Sequence, residues 1–311
     1  MSFLFPVSIA GWDDWAEVYQ SIPAFAPLIR RIFRAEGLPL APVTALPPGT
    51  NAVFRVGGLV IKIYAPAAAG FDQSADRQTE LFATAHARAL GITTPDILAH
   101  GVVQDRYPFA YLIQRWAPGL PLGEALAASD PAGQALLGRQ LRRLTDAMNV
   151  PCPPFNHVDV RTDPERRARW LPYRASFRAE RDAAVARKTS EPLVFTHGDL
   201  CADNILVRGD GELVILDFAD AVLAPPCYEQ ALLAFEYHEY PAFLRGYWER
   251  ESLPAVAECV WNGILIHDFG GDIVKNVCPQ ALAWQSTEQL RQAICDLLSA
   301  LPEKKTLEGP V

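Results

Sequence analysis

Three polar residues at fixed spacing carry the chemistry this chain could do. Asp199 is followed five residues on by Asn204, in the string His197-Gly198-Asp199-Leu200-Cys201-Ala202-Asp203-Asn204, and thirteen residues later by Asp217-Phe218. An Asp-Gly pair favours a two-residue turn of type I′, and with Asp210-Gly211 at such a tip the hairpin register sets Asn204 directly opposite Asp217. Opposed side chains in a hairpin have Cβ atoms about 4.5–5.5 Å apart. One amide oxygen and one carboxylate at that separation can share a hard cation of the magnesium type. Asp199, in the loop entering the hairpin, could take a hydroxyl proton beside that cation. Most catalysis of phosphoryl transfer is positioning and charge stabilisation, so one base, two metal ligands and a cation on the phosphates make an adequate set.

The cation can be nominated from residue usage. Lys62 is the only lysine before Lys188 in a chain that otherwise prefers arginine. It sits in Leu59-Val60-Ile61-Lys62-Ile63, a strand whose apolar flanks would hold it in place, and Glu80 in the following helix is a candidate orienting carboxylate. Upstream, the turn Pro48-Gly49-Thr50-Asn51 offers backbone N–H groups and a hydroxyl to a phosphate.

The elements that must position these residues follow from periodicity. Residues 11–38 show mostly helical spacing (Trp15, Val18, Tyr19, Ile29, Ile32, Phe33) up to the stop at Gly37-Leu38-Pro39, and predict a leading helical segment. Two β-rich runs flank Gly57-Gly58 and predict a hairpin. A helix is expected over 76–90, with Leu81, Ala85 and Ala89 as its apolar stripe, then a strand from Phe109 to Gln114 before the Pro118-Gly119 break. The chain then turns helical over 135–148 and over the arginine-heavy stretch 163–188, whose arginines are expected on a solvated face. Strands are expected at 193–195, 205–207 and 213–216, helices from Pro226 on, and a polar tail after Pro302.

Composition excludes other classes. With 50% apolar residues among 311 the chain can build a real core, and a net charge of −8 argues against a surface made for nucleic-acid phosphates or anionic lipid. Six cysteines without a C-x-x-C pair predict neither a zinc site nor a disulfide scaffold, which fits reduced thiols in a cytoplasmic protein. The first dozen residues lack a basic region and are followed by Asp13-Asp14, so no signal peptide is expected, and no apolar run reaches the ~18–20 residues of a membrane helix.

In order along the chain stand a glycine turn, a strand lysine, a helix glutamate, an apolar strand with a Pro-Gly break, H-x-D-x-x-x-x-N and strand-D-F. In this order the chain, over about residues 40–240, resembles the aminoglycoside phosphotransferase family, the small-molecule branch of the protein-kinase-like fold that also holds choline kinases. The resemblance implies an α+β, bilobal protein-kinase-like fold. Its N-terminal nucleotide-binding lobe, residues 1–117, would have an antiparallel sheet plus helix, and its mostly helical catalytic and substrate-binding lobe would span 118–311. It also implies ATP, with GTP not excluded, and Mg2+ as cofactors. Asp199 would be the catalytic aspartate, Asn204 and Asp217 the metal ligands, Lys62 the phosphate lysine and Glu80 its partner. Gln114 would be the gatekeeper, with the backbones of Arg115 and Ala117 facing adenine, and Gly49, Thr50 and Asn51 would lie on the phosphates.

The expected partner is a small-molecule hydroxyl acceptor, an aminoglycoside or other amino-sugar being one candidate, and neither nucleic acid nor a membrane. Asp268 and Asp272 are spaced to share one helical face, which would suit a polycation, although ordinary surface acids give the same pattern. Asp220 could reach a substrate amine or a loop backbone. Glu229 stands where it could line the acceptor site or anchor the catalytic loop. His197 would brace that loop. The alternatives are a metabolic kinase for a choline-, homoserine- or sugar-like acceptor and a catalytically silent nucleotide-binding module. A regulated protein kinase is disfavoured, because so few residues separate Asp217 from the helix at Pro226 that an activation loop has no room.

Overall fold

The computed structural model describes residues 3–47, 49–71, 73–187 and 192–301. Expectations that fall on Pro48, on Lys188 or on the tail after Pro302 lie outside them. The chain divides into two compact units, one of residues up to Leu81 with Thr94–Pro118, the other of Phe82–Thr93 with the chain from Gly119 on.

In the first unit the leading helical segment consists of two helices, α1 (Trp12–Val18) and α2 (Ile22–Ala35). Ser21 breaks it, accepting the N–H of Ala24 as the N-cap of α2. The predicted stop holds: Gly37 has φ 65°, and Leu38 N–H reaches back to the Phe33 carbonyl at 2.8 Å, the pattern that closes a helix through a left-handed glycine. The sheet comprises β1 (Val43–Ala45), β2 (Ala52–Val56), β3 (Leu59–Ile63), β4 (Ile97–Gln104) and β5 (Pro108–Arg115), antiparallel in the order β1-β2-β3-β5-β4. The Gly57-Gly58 hairpin is as expected, while β1 and β4 were not foreseen.

Strand β3 is the central strand, so all five of its residues are buried. The two-residue period of a strand sends Leu59, Ile61 and Ile63 to the core shared with Phe25, Leu28, Ile29 and Phe33 of α2. Lys62 is therefore on the opposite face. Between β3 and β4 comes α3 (Ser74–Ala89), whose buried residues include Glu80, Ala83, Thr84 and Ala87 rather than the Leu81, Ala85, Ala89 stripe expected.

The second unit opens with β6 (Leu120–Pro121), α4 (Leu122–Ala128) and α5 (Pro131–Met148). The arginine-rich stretch forms α6 (Pro164–Ala168) and α7 (Ala175–Ala186), split near Pro172, which cannot continue a helix. Its arginines are not all on a solvated face. Arg181 is 2% exposed and donates from Nε and Nη2 to the Leu265 carbonyl at 3.0 and 2.6 Å; Arg166 is buried against the Tyr228 hydroxyl. Then follow β7 (Val194–Thr196), the hairpin β8 (Ile205–Val207) and β9 (Leu213–Ile215), and β10 (Val222–Ala224), which pairs with β7. Helices α8 (Cys227–Glu236), α9 (Pro241–Tyr247), α10 (Leu253–Ile266), α11 (Gly270–Val277) and α12 (Thr287–Ser299) complete the unit. Among the described residues no helix is long and apolar enough to cross a membrane.

Candidate active site

The loop between β7 and β8 is clamped at its start. Glu229 of α8, fully buried, accepts the N–H groups of His197 (2.7 Å) and Gly198 (3.3 Å). The buried His197 ring accepts the Asp199 N–H on Nδ1 at 3.2 Å and lies 2.7 Å from the Leu216 carbonyl through Nε2. A ring that accepts at Nδ1 carries its proton on Nε2, so it donates to Leu216; burial, the largest influence, lowers its pKa to about 4 and keeps it neutral. Gly198 has φ 88°, and a Cβ there would stand 2.1 Å from the Asp220 carbonyl oxygen, so the position needs glycine for both conformation and space.

Asn204 fixes the aspartate. Its Nδ2 donates to the Asp199 carbonyl and to Asp199 Oδ2, each at 2.9 Å, which leaves Oδ1 as the acceptor end of the amide. Asp199 has its pKa raised to about 6, first by burial, then by the charges of Asp217 and Glu236, against hydrogen bonds from Cys201 and Asn204 that lower it. The Asp217 carboxylate thus lies within electrostatic reach of Asp199. Asp217 is exposed and has φ 55°, the one non-glycine residue in the left-handed region among those described.

The hairpin reaches this arrangement by another register than expected. Ile205 pairs with Ile215, Leu206 with Val214 and Val207 with Leu213, and the turn has three residues, 209–211, with Gly211 at φ 84°. The N–H of Gly211 bonds to the Arg208 carbonyl, and that of Arg208 to the Glu212 carbonyl, both at 2.9 Å. This is a type I turn followed by a left-handed glycine, the usual three-residue hairpin loop. Leu216, not Asp217, therefore faces Asn204, with Leu216 N–H on the Asn204 carbonyl at 2.8 Å. A one-residue slip in a regular ladder would send the two side chains to opposite faces. Here the 3₁₀ turn at 202–204 and the left-handed Asp217 end the pleat on both sides; Asn204 bonds Asp199, and the Asp217 carboxylate stays within electrostatic reach of it.

In the first unit Lys62 Nζ lies 2.9 Å from Glu80 Oε2, with both side chains almost wholly buried. The Tyr64 hydroxyl donates to the same oxygen at 2.5 Å. A buried ion pair needs such additional hydrogen bonds to offset its desolvation. In the upstream turn Gly49 and Thr50 are exposed, but Asn51 is buried and its Oδ1 accepts the Ala65 N–H at 3.2 Å, so that side chain builds the turn. Gln114, half-buried on β5, faces Val60 and Ile97. Arg115 donates its N–H to the Asp96 carbonyl at 2.9 Å and pairs with the Asp96 carboxylate at the surface, while Ala117 follows half-buried.

The residues expected at the acceptor fare differently. Asp220 is exposed, in the 3₁₀ turn at 218–220. Glu229 has no exposure and anchors the 197–199 loop, one of the two placements expected of it. Asp268 precedes α11 and Asp272 lies within it, so they do not share a helical face. Both instead pair with Arg169, at 3.0 and 3.2 Å, and Asp272 also pairs with Lys275 at 2.6 Å. Glu236, the last residue of α8, also meets the loop. It accepts the Ala202 N–H at 3.1 Å and raises the Asp199 pKa. Its spacing was the available signal: seven residues, or two helical turns, after Glu229 puts it on the same face of α8. Cys201 Sγ is 3.8 Å from Asp199 Oδ2, and burial, with the Asp199 charge, raises its pKa to about 12.

The chain thus joins an antiparallel sheet to a helical second unit that holds Asp199 through an asparagine five residues on. Residues 43–259, well over half of the chain, match the profile of the phosphotransferase enzyme family (APH), and the protein belongs to that family. No curated protein matches it. Among solved structures it is similar to an APH(2″) enzyme in complex with GDP and kanamycin, with 17% identity, 86% of this chain and 98% of that one covered, and TM-score 0.56. A ternary complex of a thermostable mutant of aminoglycoside phosphotransferase APH(4)-Ia with ADP and hygromycin B gives 17%, 86%, 97% and 0.58. A choline/ethanolamine kinase family protein from Mesorhizobium loti gives 18%, 84%, 89% and 0.53.

Proposed function

We propose that the protein transfers the γ-phosphoryl group of ATP to a hydroxyl of a small molecule. The observation that carries this reading is the Asn204 amide, which holds Asp199 by two 2.9 Å hydrogen bonds while its Oδ1 remains an acceptor and the Asp217 carboxylate is within electrostatic reach of Asp199. An amide oxygen and an exposed carboxylate are the oxygen donors that Mg2+ takes when substrate phosphates and water supply its remaining ligands. Asn204 and Asp217 would hold the ion, which supplies charge neutralisation on the phosphates. Asp199 orients the acceptor hydroxyl and receives its proton as the oxygen attacks the γ-phosphorus in line. Lys62, held by Glu80, neutralises the phosphates, and the backbone of the Gly49-Thr50-Asn51 turn donates to them. The nucleotides in the similar structures, GDP and ADP, support a purine nucleotide, with GTP as well as ATP open to use.

The acceptor is an alcohol. Kanamycin and hygromycin B in the similar structures support an aminoglycoside. One observation favours the second reading, a metabolic acceptor of choline, homoserine or sugar type: Asp268 and Asp272 are already compensated by Arg169 and Lys275, which removes two acids from those that could meet a polycation. The test is ADP release from MgATP against aminoglycosides, amino-sugars, choline and homoserine, with Asp199→Ala as the blank. One acceptor should stimulate release, and the variant should lose at least ~10³-fold in turnover while binding nucleotide normally. Turnover near wild type in Asp199→Ala would refute the assignment. Stimulation by aminoglycosides alone would decide against the metabolic acceptor.

A further inference from the structure

The leading helix α1 precedes the region that matches the family profile, and the proposed mechanism gives it no part. Yet its Trp15 reaches the turn proposed to receive phosphate: the indole Nε1 donates to the Thr50 carbonyl at 2.9 Å. The ring cannot drift, because it has no exposure and packs edge-on against Phe25 of α2, with centroids 5.8 Å apart. The helix is secured as well. Asp14 accepts the Ala10 N–H at 2.7 Å, and Trp12 packs on Phe71 beyond β3. From its other side the turn is tied by Asn51 Oδ1 to the Ala65 N–H.

A trans peptide is planar, with its C=O and N–H pointing in opposite directions. Fixing the Thr50 carbonyl toward Trp15 therefore fixes the Asn51 N–H to point away from it. A turn that binds phosphate through backbone N–H groups gains affinity when they are oriented beforehand. The geometry points to Trp15 as a positioning residue of the nucleotide site, acting through the Thr50–Asn51 peptide on the phosphates and not on the base. This inference rests on the nucleotide reading above.

The test uses the full chain and isothermal titration with MgATP and, separately, with adenosine, which lacks phosphates. Trp15→Phe keeps an aromatic ring and loses the N–H donor; Trp15→Met is the second variant should the first fold poorly. The expected result is a three- to tenfold rise in Kd for MgATP, roughly what one lost hydrogen bond gives, with the Kd for adenosine unchanged. An unchanged Kd for MgATP overturns the inference. So does an equal loss for MgATP and adenosine, which is what a general loosening of the fold would produce. Lys62→Ala separates the two levels of argument: if it weakens MgATP at least tenfold while Trp15→Phe does nothing, only the Trp15 inference fails. If Lys62→Ala leaves MgATP binding intact, the phosphate-site reading fails and this inference with it.

Discussion

In the proposed reaction Asp199 works only as well as its backbone is held, and the holding falls to buried groups given no chemistry there. Glu229 is the chief of these, and it predicts a pH effect. Burial pushes its carboxyl up from 4.5 to about 8, against the lowering effect of the His197 and Gly198 N–H groups. The native state then retains a proton that the unfolded chain releases at lower pH, so this group's contribution to stability is full below about pH 4.5 and is lost as pH rises toward 8. Glu229→Gln removes the titration but keeps one carbonyl acceptor. Urea melts at pH 5, 6.5 and 8 should show a flatter dependence for the variant than for wild type, with a cost of about 1–2 kcal/mol at pH 5 for the poorer acceptor. Parallel curves would mean that Glu229 is already ionised in the native state. At this scale residue type and spacing were enough to nominate Asp199, Asn204, Asp217, Lys62 and Glu80 for the proposed site, because that information is local. It did not show that Arg166 and Arg181 are buried. Their partners, the Tyr228 hydroxyl and the Leu265 carbonyl, are distant in sequence, and nothing near an arginine announces them.

At the scale of elements, the β8–β9 hairpin shows where local rules stop. Asp210-Gly211 promised a two-residue turn, but Gly209 can be spanned as well, and the three-residue loop won with Asp210 Oδ1 accepting the Glu212 N–H at 3.0 Å. The strands were found and their register was missed by one residue, since turn type decides register and several turns fit the same string. Two glycines near the site make contrasting predictions. Gly211 has a left-handed backbone and open space around a Cβ, so Gly211→Ala should cost only about 1 kcal/mol in denaturant melts and leave turnover unchanged. Gly198 combines φ 88° with a Cβ position 2.1 Å from the Asp220 carbonyl oxygen. Gly198→Ala must therefore displace either the 197–199 loop or the 218–220 turn, and more than tenfold loss of turnover should accompany roughly 2–3 kcal/mol of destabilisation. If both substitutions behaved alike, close contact with Asp220 would not be what fixes the loop.

Across the whole molecule, the sequence told most about the fold class and least about the pieces that complete it. Alternation and glycine turns exposed the β2–β3 hairpin. The pattern of β4, with only Val103 buried and apolar Leu98 and Val102 exposed, gave too weak a period to stand out. Each unit has its own apolar core, and the proposed phosphate groups of Lys62 and the 49–51 turn lie in one unit while Asp199, Asn204 and Asp217 lie in the other. A ligand that binds the native chain stabilises it by RT ln(1 + [L]/Kd), about 2.7 kcal/mol at a hundredfold excess over Kd. Thermal melts with MgATP should therefore shift upward with concentration. Lys62→Ala, which alters the first unit, and Asp217→Ala, which alters the second, should each reduce the shift. With EDTA in place of Mg2+, wild type and Asp217→Ala should give the same smaller shift, because the carboxylate then has no ion to hold, whereas Lys62→Ala should still fall below both. A shift equally sensitive to Asp217→Ala with and without Mg2+ would show that this carboxylate serves the fold rather than the metal.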